Sequence, residues 1–215
     1  MLLQYLLPPH IKAEGKGTVK VEPDQAVVTV GVVTKNQNAE SAQNENGKIT
    51  NKVISALEAL GIGEKEIETA SYSINREVDY VNGQKIERGY IVNHQLMITI
   101  NDLKKIGSVL DTAVKAGANV VHSLRFQLRD ENKVYRQALK EAVSDARKKV
   151  NAIATSLKVS VYAIPYSIEE RSTGIVRPFD TMQLESVNKG TKIMTKQVEV
   201  TANISMICTI ANLQQ

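Results

Sequence analysis

His94 lies in phase with Val92, Leu96, Ile98 and Ile100, and His122 in phase with Leu124, Phe126 and Leu128. Alternate residues of a strand share a face, so each imidazole belongs to an apolar strand face, near the start of its strand. Two imidazoles brought side by side would titrate together near neutral pH, or supply two of the ligands that a zinc ion takes. No third ligand accompanies them, and the competing reading is two separate histidines at the core edge, each hydrogen-bonded locally. His94 and His122 are thus the weak metal candidates, and no metal is assigned. The chain has three histidines and no Cys-x-x-Cys, His-Glu-x-x-His or Gly-x-Ser-x-Gly spacing. Nucleophile–base and multi-ligand chemistry therefore leave no local signature. No catalytic residue and no cofactor is assigned, and a protein without enzymatic activity is expected.

Three further stretches invite chemistry and are better read as structure. The run from Asn36 to Asn46 is acidic and amide-rich, but it lacks the acidic spacing and the glycine of a calcium loop, so helix capping and solvation explain it better. Cys208, the one cysteine, cannot form an intrachain disulfide. It shares a face with Val198, Val200, Ala202, Ile204, Met206 and Ile210, which predicts a buried, inert thiol. GKGTVKVEPDQAVVTVG, residues 15–31, begins with two glycines but has no following helix to complete a phosphate loop. It alternates instead: Ile11, Ala13, Gly15, Gly17, Val19 and Val21 on one face, with Lys12, Glu14, Lys16, Thr18, Lys20 and Glu22 on the other. Gly15 and Gly17 then sit on the inner face, where another backbone or a large side chain can approach. Pro23-Asp24 suits a turn, Ala26 to Val33 is apolar on both faces, and a β-hairpin is expected, its first strand nearer an edge.

The elements that must position these residues follow from periodicity. Asn36 and Asn38 offer caps for a helix from about 39 to 60, stopped by Gly61, whose first half, AESAQNENGK, is polar almost all round and reads as solvent-facing or covered by a partner. Tyr72, Ile74, Val78 and Tyr80 mark one face of a strand over 67–81. Asn82-Gly83 turns it into a strand over 86–100. Asp102 caps a short helix ended by Gly117, and a strand over 120–128 completes a parallel crossover. The longest helix, from Asn132 to about Leu157, shows a stripe of Tyr135, Leu139, Ala142, Val143, Ala146, Val150, Ile153 and Leu157. Strands over 159–170 and 195–210 close the chain, giving seven strands and three helices. Between these two strands, residues 172–194 are too apolar for a simple linker. This long apolar loop is expected to pack on the same or a neighbouring subunit, and Ile175, Val176, Phe179, Met182 and Leu184 are the interaction residues assigned.

A length of 215 residues allows one domain or two small ones. The net charge of +4 carries no long basic block, and two Phe, seven Tyr and no Trp leave few stacking platforms, so nucleic acid is not an expected partner. No stretch reaches the ~20 apolar residues of a membrane-spanning helix. MLLQYLLPPH, residues 1–10, is apolar but lacks a basic start and a small-residue cleavage site; it is read as an N-terminal arm or leader remnant.

Three stretches together resemble one family. GKGTVKVEPDQAVVTVGVVT resembles the opening of SIMPL-domain proteins, GYIVNHQLMITINDLKKIGSVLDTAVKAGAN their middle segment, and ALKEAVSDARKKVNAIATSLKV their long Ala-rich helix. The resemblance covers about Ile11 to Ile210. It implies an α+β fold of mixed, mainly antiparallel sheets with three helices in two interleaved subdomains, in the order β-β-α-β-β-α-β-α-β-β. On this partition residues 11–66 with 130–212 form one subdomain and 67–129 the other. The resemblance also implies homo-oligomers at the periplasm or cell surface, although this chain shows no convincing signal peptide, and it brings no catalytic positions. The expected function is that of a non-enzymatic self-assembling or interaction protein of the bacterial cell envelope, with a possible protein partner. The alternative is a ligand-binding or stress-response module with a pocket between subdomains.

Overall fold

The computed structural model describes residues 8–82, 84–171, 175–177 and 197–213. In chain order the elements are β1 (His10–Val21), β2 (Gln25–Asn36), α1 (Ala39–Ala59), β3 (Ile67–Val81), β4 (Gln84–Ile100), α2 (Ile106–Ala116), β5 (Val120–Gln127), α3 (Glu131–Ser156), β6 (Val159–Val161), β7 (Ser167–Glu170), β8 (Ile175–Arg177) and β9 (Val198–Leu213). The α+β class and the three helices are as the sequence predicts. The expected strand over 159–170 is instead two pieces, β6 and β7, separated by a stretch containing Pro165, which has no N–H to give a ladder. Asn82 turns β3 into β4 with φ 52°; Gly83, its expected companion, lies outside the described residues.

Strand pairing divides the chain into two units. One takes the chain up to Glu22, Asp130–Pro178 and the residues from Gln197; the other, among the described residues, is Pro23–Arg129. The partition drawn from the sequence placed β2 and α1 with the long helix, whereas they cluster with β3, β4 and β5. The reason is that β1 pairs along its whole length with β9, while β2 is held between β4 and β5. β1 and β2 therefore form no hairpin, and Pro23-Asp24 carries the chain from one sheet to the other. Within the β2 unit, Asp24 Oδ1 accepts the backbone N–H of Arg129 at 2.8 Å.

In the β9 unit, β9 is the shared partner: β1 lies on one side, and β6, β7 and β8 follow one another along the other, all antiparallel. Register puts Ala13 opposite Met206, Gly15 opposite Ile204 and Gly17 opposite Ala202, and α3 covers this face. A Cβ on Gly15 would lie 2.8 Å from Ala146 Cβ and nearer still to the Ala142 carbonyl; one on Gly17 would lie 2.6 Å from Ala142 N and collide with the Ala138 carbonyl. The glycines thus admit the helix backbone itself. For the same reason the buried stripe of α3 is Ala138, Ala142, Ala146, Val150 and Ala154. Tyr135, Leu139 and Val143 are displaced to the flanks, and Ile153 and Leu157 are exposed. The expected stripe holds at Ala142, Ala146 and Val150 and is rotated in phase at its larger residues.

β1 is the sheet edge, as expected, and α3 closes part of it. The outward N–H of Lys16 donates to Asp145 Oδ2 at 2.9 Å, and Lys149 Nζ donates to the Glu14 carbonyl at 2.9 Å and to Asp145 Oδ2 at 2.7 Å. The Lys149 hydrogen bond first, and the Lys16 N–H second, hold the Asp145 carboxyl below the usual carboxylate range.

In the β2 unit the strand order is β3-β4-β2-β5. β2 is central, as its two-sided apolar run predicts. β4 and β5 both run antiparallel to β2, so they are parallel to each other and α2 crosses over β2 between them. Val28, Val30 and Val32 of β2, Leu96, Ile98 and Ile100 of β4, Val53 and Leu57 of α1, and Val109 and Ala113 of α2 build one core.

Candidate functional site

The first half of α1 lines an open, polar cleft. Asn38 caps the helix by accepting the Ser41 N–H at 3.0 Å, and Asn36 Oδ1 accepts the Asn38 N–H at 3.1 Å, so the amide-rich run caps, as expected. The same run differs from expectation at Asn46, which is completely buried. Its Nδ2 donates to the Val32 carbonyl at 2.8 Å and the Val92 carbonyl at 3.4 Å, and its Oδ1 accepts from Thr50 Oγ1 at 3.3 Å. Thr34 Oγ1 donates to the Ala42 carbonyl at 2.8 Å. These bonds press α1 onto β2 and β4, and Ala42, Asn46, Thr50, Val53 and Leu57 form its inward face.

Beside this anchor α1 leaves the sheet uncovered. Gln43, Asn44, Gly47, Lys48 and Asn51 form one wall of an open cleft whose sheet side is Tyr72 and His94. Residues 43, 47 and 51, spaced by four, share one row of the helix surface, with 44 and 48 beside it. Tyr72 and His94 are cross-strand partners, their rings edge to face with centroids 5.1 Å apart. Thr69 Oγ1 and His94 Nε2 share a hydrogen bond of 3.1 Å. Burial pushes the His94 pKa down from its ordinary value, which favours the neutral ring. Sequence reasoning missed Gly47, Lys48 and Asn51; the available signal was a glycine inside a helical pattern.

His94 and His122 are not brought together. His94 stands opposite Val32 on the core face of the sheet. The β2–β5 register slips between Thr29 and Val30, and this bulge, invisible in the regular alternation of β5, turns His122 to the other face. There its Nε2 lies 3.0 Å from where a Gly31 Cβ would be. Gly31 and Val32 are neighbours in one strand and point to opposite faces, so the sheet separates the two rings. Among the described residues no group of three or more His, Cys, Asp or Glu is placed to hold a metal ion. Cys208 is buried, and burial raises its thiol pKa, in keeping with an inert thiol.

The β9 unit carries a concentration of exposed apolar side chains. Tyr162, Ile164, Tyr166 and Ile168, every second residue from β6 into β7, are 58%, 82%, 61% and 49% exposed, and Ile153 and Leu157 on α3 are exposed as well. Arg147 Nη1 donates to the Ala163 carbonyl at 2.8 Å, tying this segment to α3. Of the assigned interaction residues, Ile175 and Val176 lie in β8, whose backbone pairs with β9. Phe179, Met182 and Leu184 lie outside the described residues. No helix among the described residues is long and apolar enough to cross a membrane.

A family model described as SIMPL, protein of unknown function (DUF541), matches residues 11–207. The chain is 28% identical over 164 residues to the uncharacterized protein YggE of Escherichia coli strain K12, a match that takes in 74% of this chain and 66% of that protein. It is 25% identical over 159 residues to a 26 kDa periplasmic immunogenic protein of Brucella melitensis biotype 1, over 72% of this chain and 64% of that protein. The chain thus spans just under two thirds of the length of these two curated relatives.

Proposed function

The chain belongs to the SIMPL family, and from that premise we propose that it is an envelope-associated protein that acts by associating with further copies of itself, without a catalytic step. The periplasmic name of the Brucella relative supports the compartment. The observation that carries the association is the run Tyr162, Ile164, Tyr166 and Ile168, with Ile164 82% exposed. Large apolar side chains gathered in one stretch mark interaction surfaces. On this reading the occupant is a second copy met through these side chains, since α3 already binds the backbone of the β1 edge at Glu14 and Lys16. The segment bearing Ile175, Val176, Phe179, Met182 and Leu184 continues the same apolar character and shares in the contact on this reading.

Light scattering over a range of concentrations tests it. The chain is expected to associate, and Ile164→Asp with Tyr166→Ser to move the midpoint to about tenfold higher concentration or beyond. A chain that remains monomeric throughout refutes the reading. A second reading, ligand binding, is favoured by the polar cleft at His94.

A further inference from the structure

The walls of that cleft select a ligand. Its volume is about 520 Å³, within the ~300–1,000 Å³ of small-molecule sites. Gln43, Asn44 and Asn51 each present a donor and an acceptor, the pairing that neighbouring hydroxyls of a sugar ring require. Tyr72 adds a phenol and an aromatic ring. Lys48 is the one permanently charged side chain on the lining, which holds no carboxylate, so the ion that completes the cleft is an anion.

Gly47 supplies an independent reason to regard the cleft as built. Glycine inside a helix weakens it, and where a helix carries one, close packing is the usual cause, as at the strand glycines beneath α3. At Gly47 that cause is missing, because a Cβ there would meet nothing within 4 Å. What the missing side chain does is keep the helix wall low in the middle of the cleft, between Gln43 and Asn51.

We propose that the cleft between α1 and the β3–β4 pair binds a saccharide that carries a carboxylate. Its hydroxyls pair with Gln43, Asn44 and Asn51, its carboxylate with Lys48, and its ring lies against Tyr72. His94, kept neutral by burial, leaves Lys48 as the charge that sets the preference for one carboxylate. The proposal is independent of self-association, since the apolar surface belongs to the other unit.

The test is an NMR titration of the isotope-labelled full chain with glucuronate, galacturonate, glucose and acetate, following amides 43–51 and the His94 ring. Saturable shifts confined to these positions are expected with an acidic sugar, with glucose binding about 2–5-fold more weakly and acetate failing to saturate. A Cβ at position 47 would meet nothing within 4 Å, so Gly47→Leu is expected to retain the amide spectrum of the fold and, by raising the helix wall, to bind at least about tenfold more weakly. Lys48→Met is expected to reduce the acidic sugar to the affinity of glucose. The proposal is overturned if neither acidic sugar gives saturable shifts or if folded Gly47→Leu binds as well as the parent. Equal binding of glucose and glucuronate, or saturation by acetate, overturns recognition of an acidic sugar.

Discussion

His94 shows how one side chain couples a site to stability. Its ring faces Tyr72 and Thr69 from β3 and Lys48 from α1, and burial holds its folded-state pKa below the ordinary 6.5. On acidification the unfolded chain takes up this proton first. Stability contributed by the neutral ring is therefore complete above about pH 6.5, falls as the pH drops toward the folded pKa, and falls no further below it. Denaturant unfolding of the parent and of His94→Gln at pH 7.5 and 5 should show the smaller acid loss in the variant; equal losses would dismiss burial of His94 as a source of pH dependence. The sequence placed His94 correctly on an apolar face. It could not place His122, because the β2–β5 register passes from Thr29 opposite Ser123 to Val30 opposite Val121 and leaves His122 as the extra residue of a bulge, which the alternation of apolar residues in β5 does not reveal. Asn46 was illegible for another reason. An amide in a polar run looks solvated until the two carbonyls it reaches, on β2 and β4, are known to lie beneath it.

Among the elements, β1 and α3 show most directly how sequence sets packing distance. The alternation around Gly15 and Gly17 was enough to put both on the inner face. What covers them was not, since a helix more than a hundred residues away in sequence had to be oriented before Ala138, Ala142 and Ala146 could be recognised as its complement. The large residues of α3 misled because hydrophobicity favours Leu and Ile over Ala, while the glycine floor leaves no height for them. Gly17→Ala is accordingly expected to destabilise the chain by about 3 kcal/mol, since the obstructing atoms are backbone and cannot swing aside. Gly47→Ala should act in the opposite sense by about 0.5–1 kcal/mol, its site being open. Urea midpoints measured on the two variants in parallel decide this: a neutral Gly17→Ala would show that α3 can ride higher on the sheet than its contacts imply.

At the level of the whole molecule, the contacts divide the chain into two units after Glu22 and again after Arg129, borders that carry no local signal. Local signals found the strands of 10–36 but could not say that β1 and β2 take partners in different sheets, a choice made by pairing with residues far along the chain. That choice has a kinetic side. The β2 unit closes contacts within Pro23–Arg129, whereas the β9 unit must join His10–Val21 to Val198–Leu213, a loop closure that slows folding. Pulsed hydrogen exchange during refolding should protect amides of β2 and β4 before those of β1 and β9; simultaneous protection would argue that the units fold as one. The central place of β9 also bears on proofreading of newly made chains. Among the described residues four strands depend on it for their backbone partners, so a chain broken off before residue 198 leaves β1, β6, β7 and β8 without the strand they pair with and presents them to proteases. Only a chain extended through Leu213 can hide them, so the arrival of β9 is the moment at which this unit withdraws its unpaired backbone from attack.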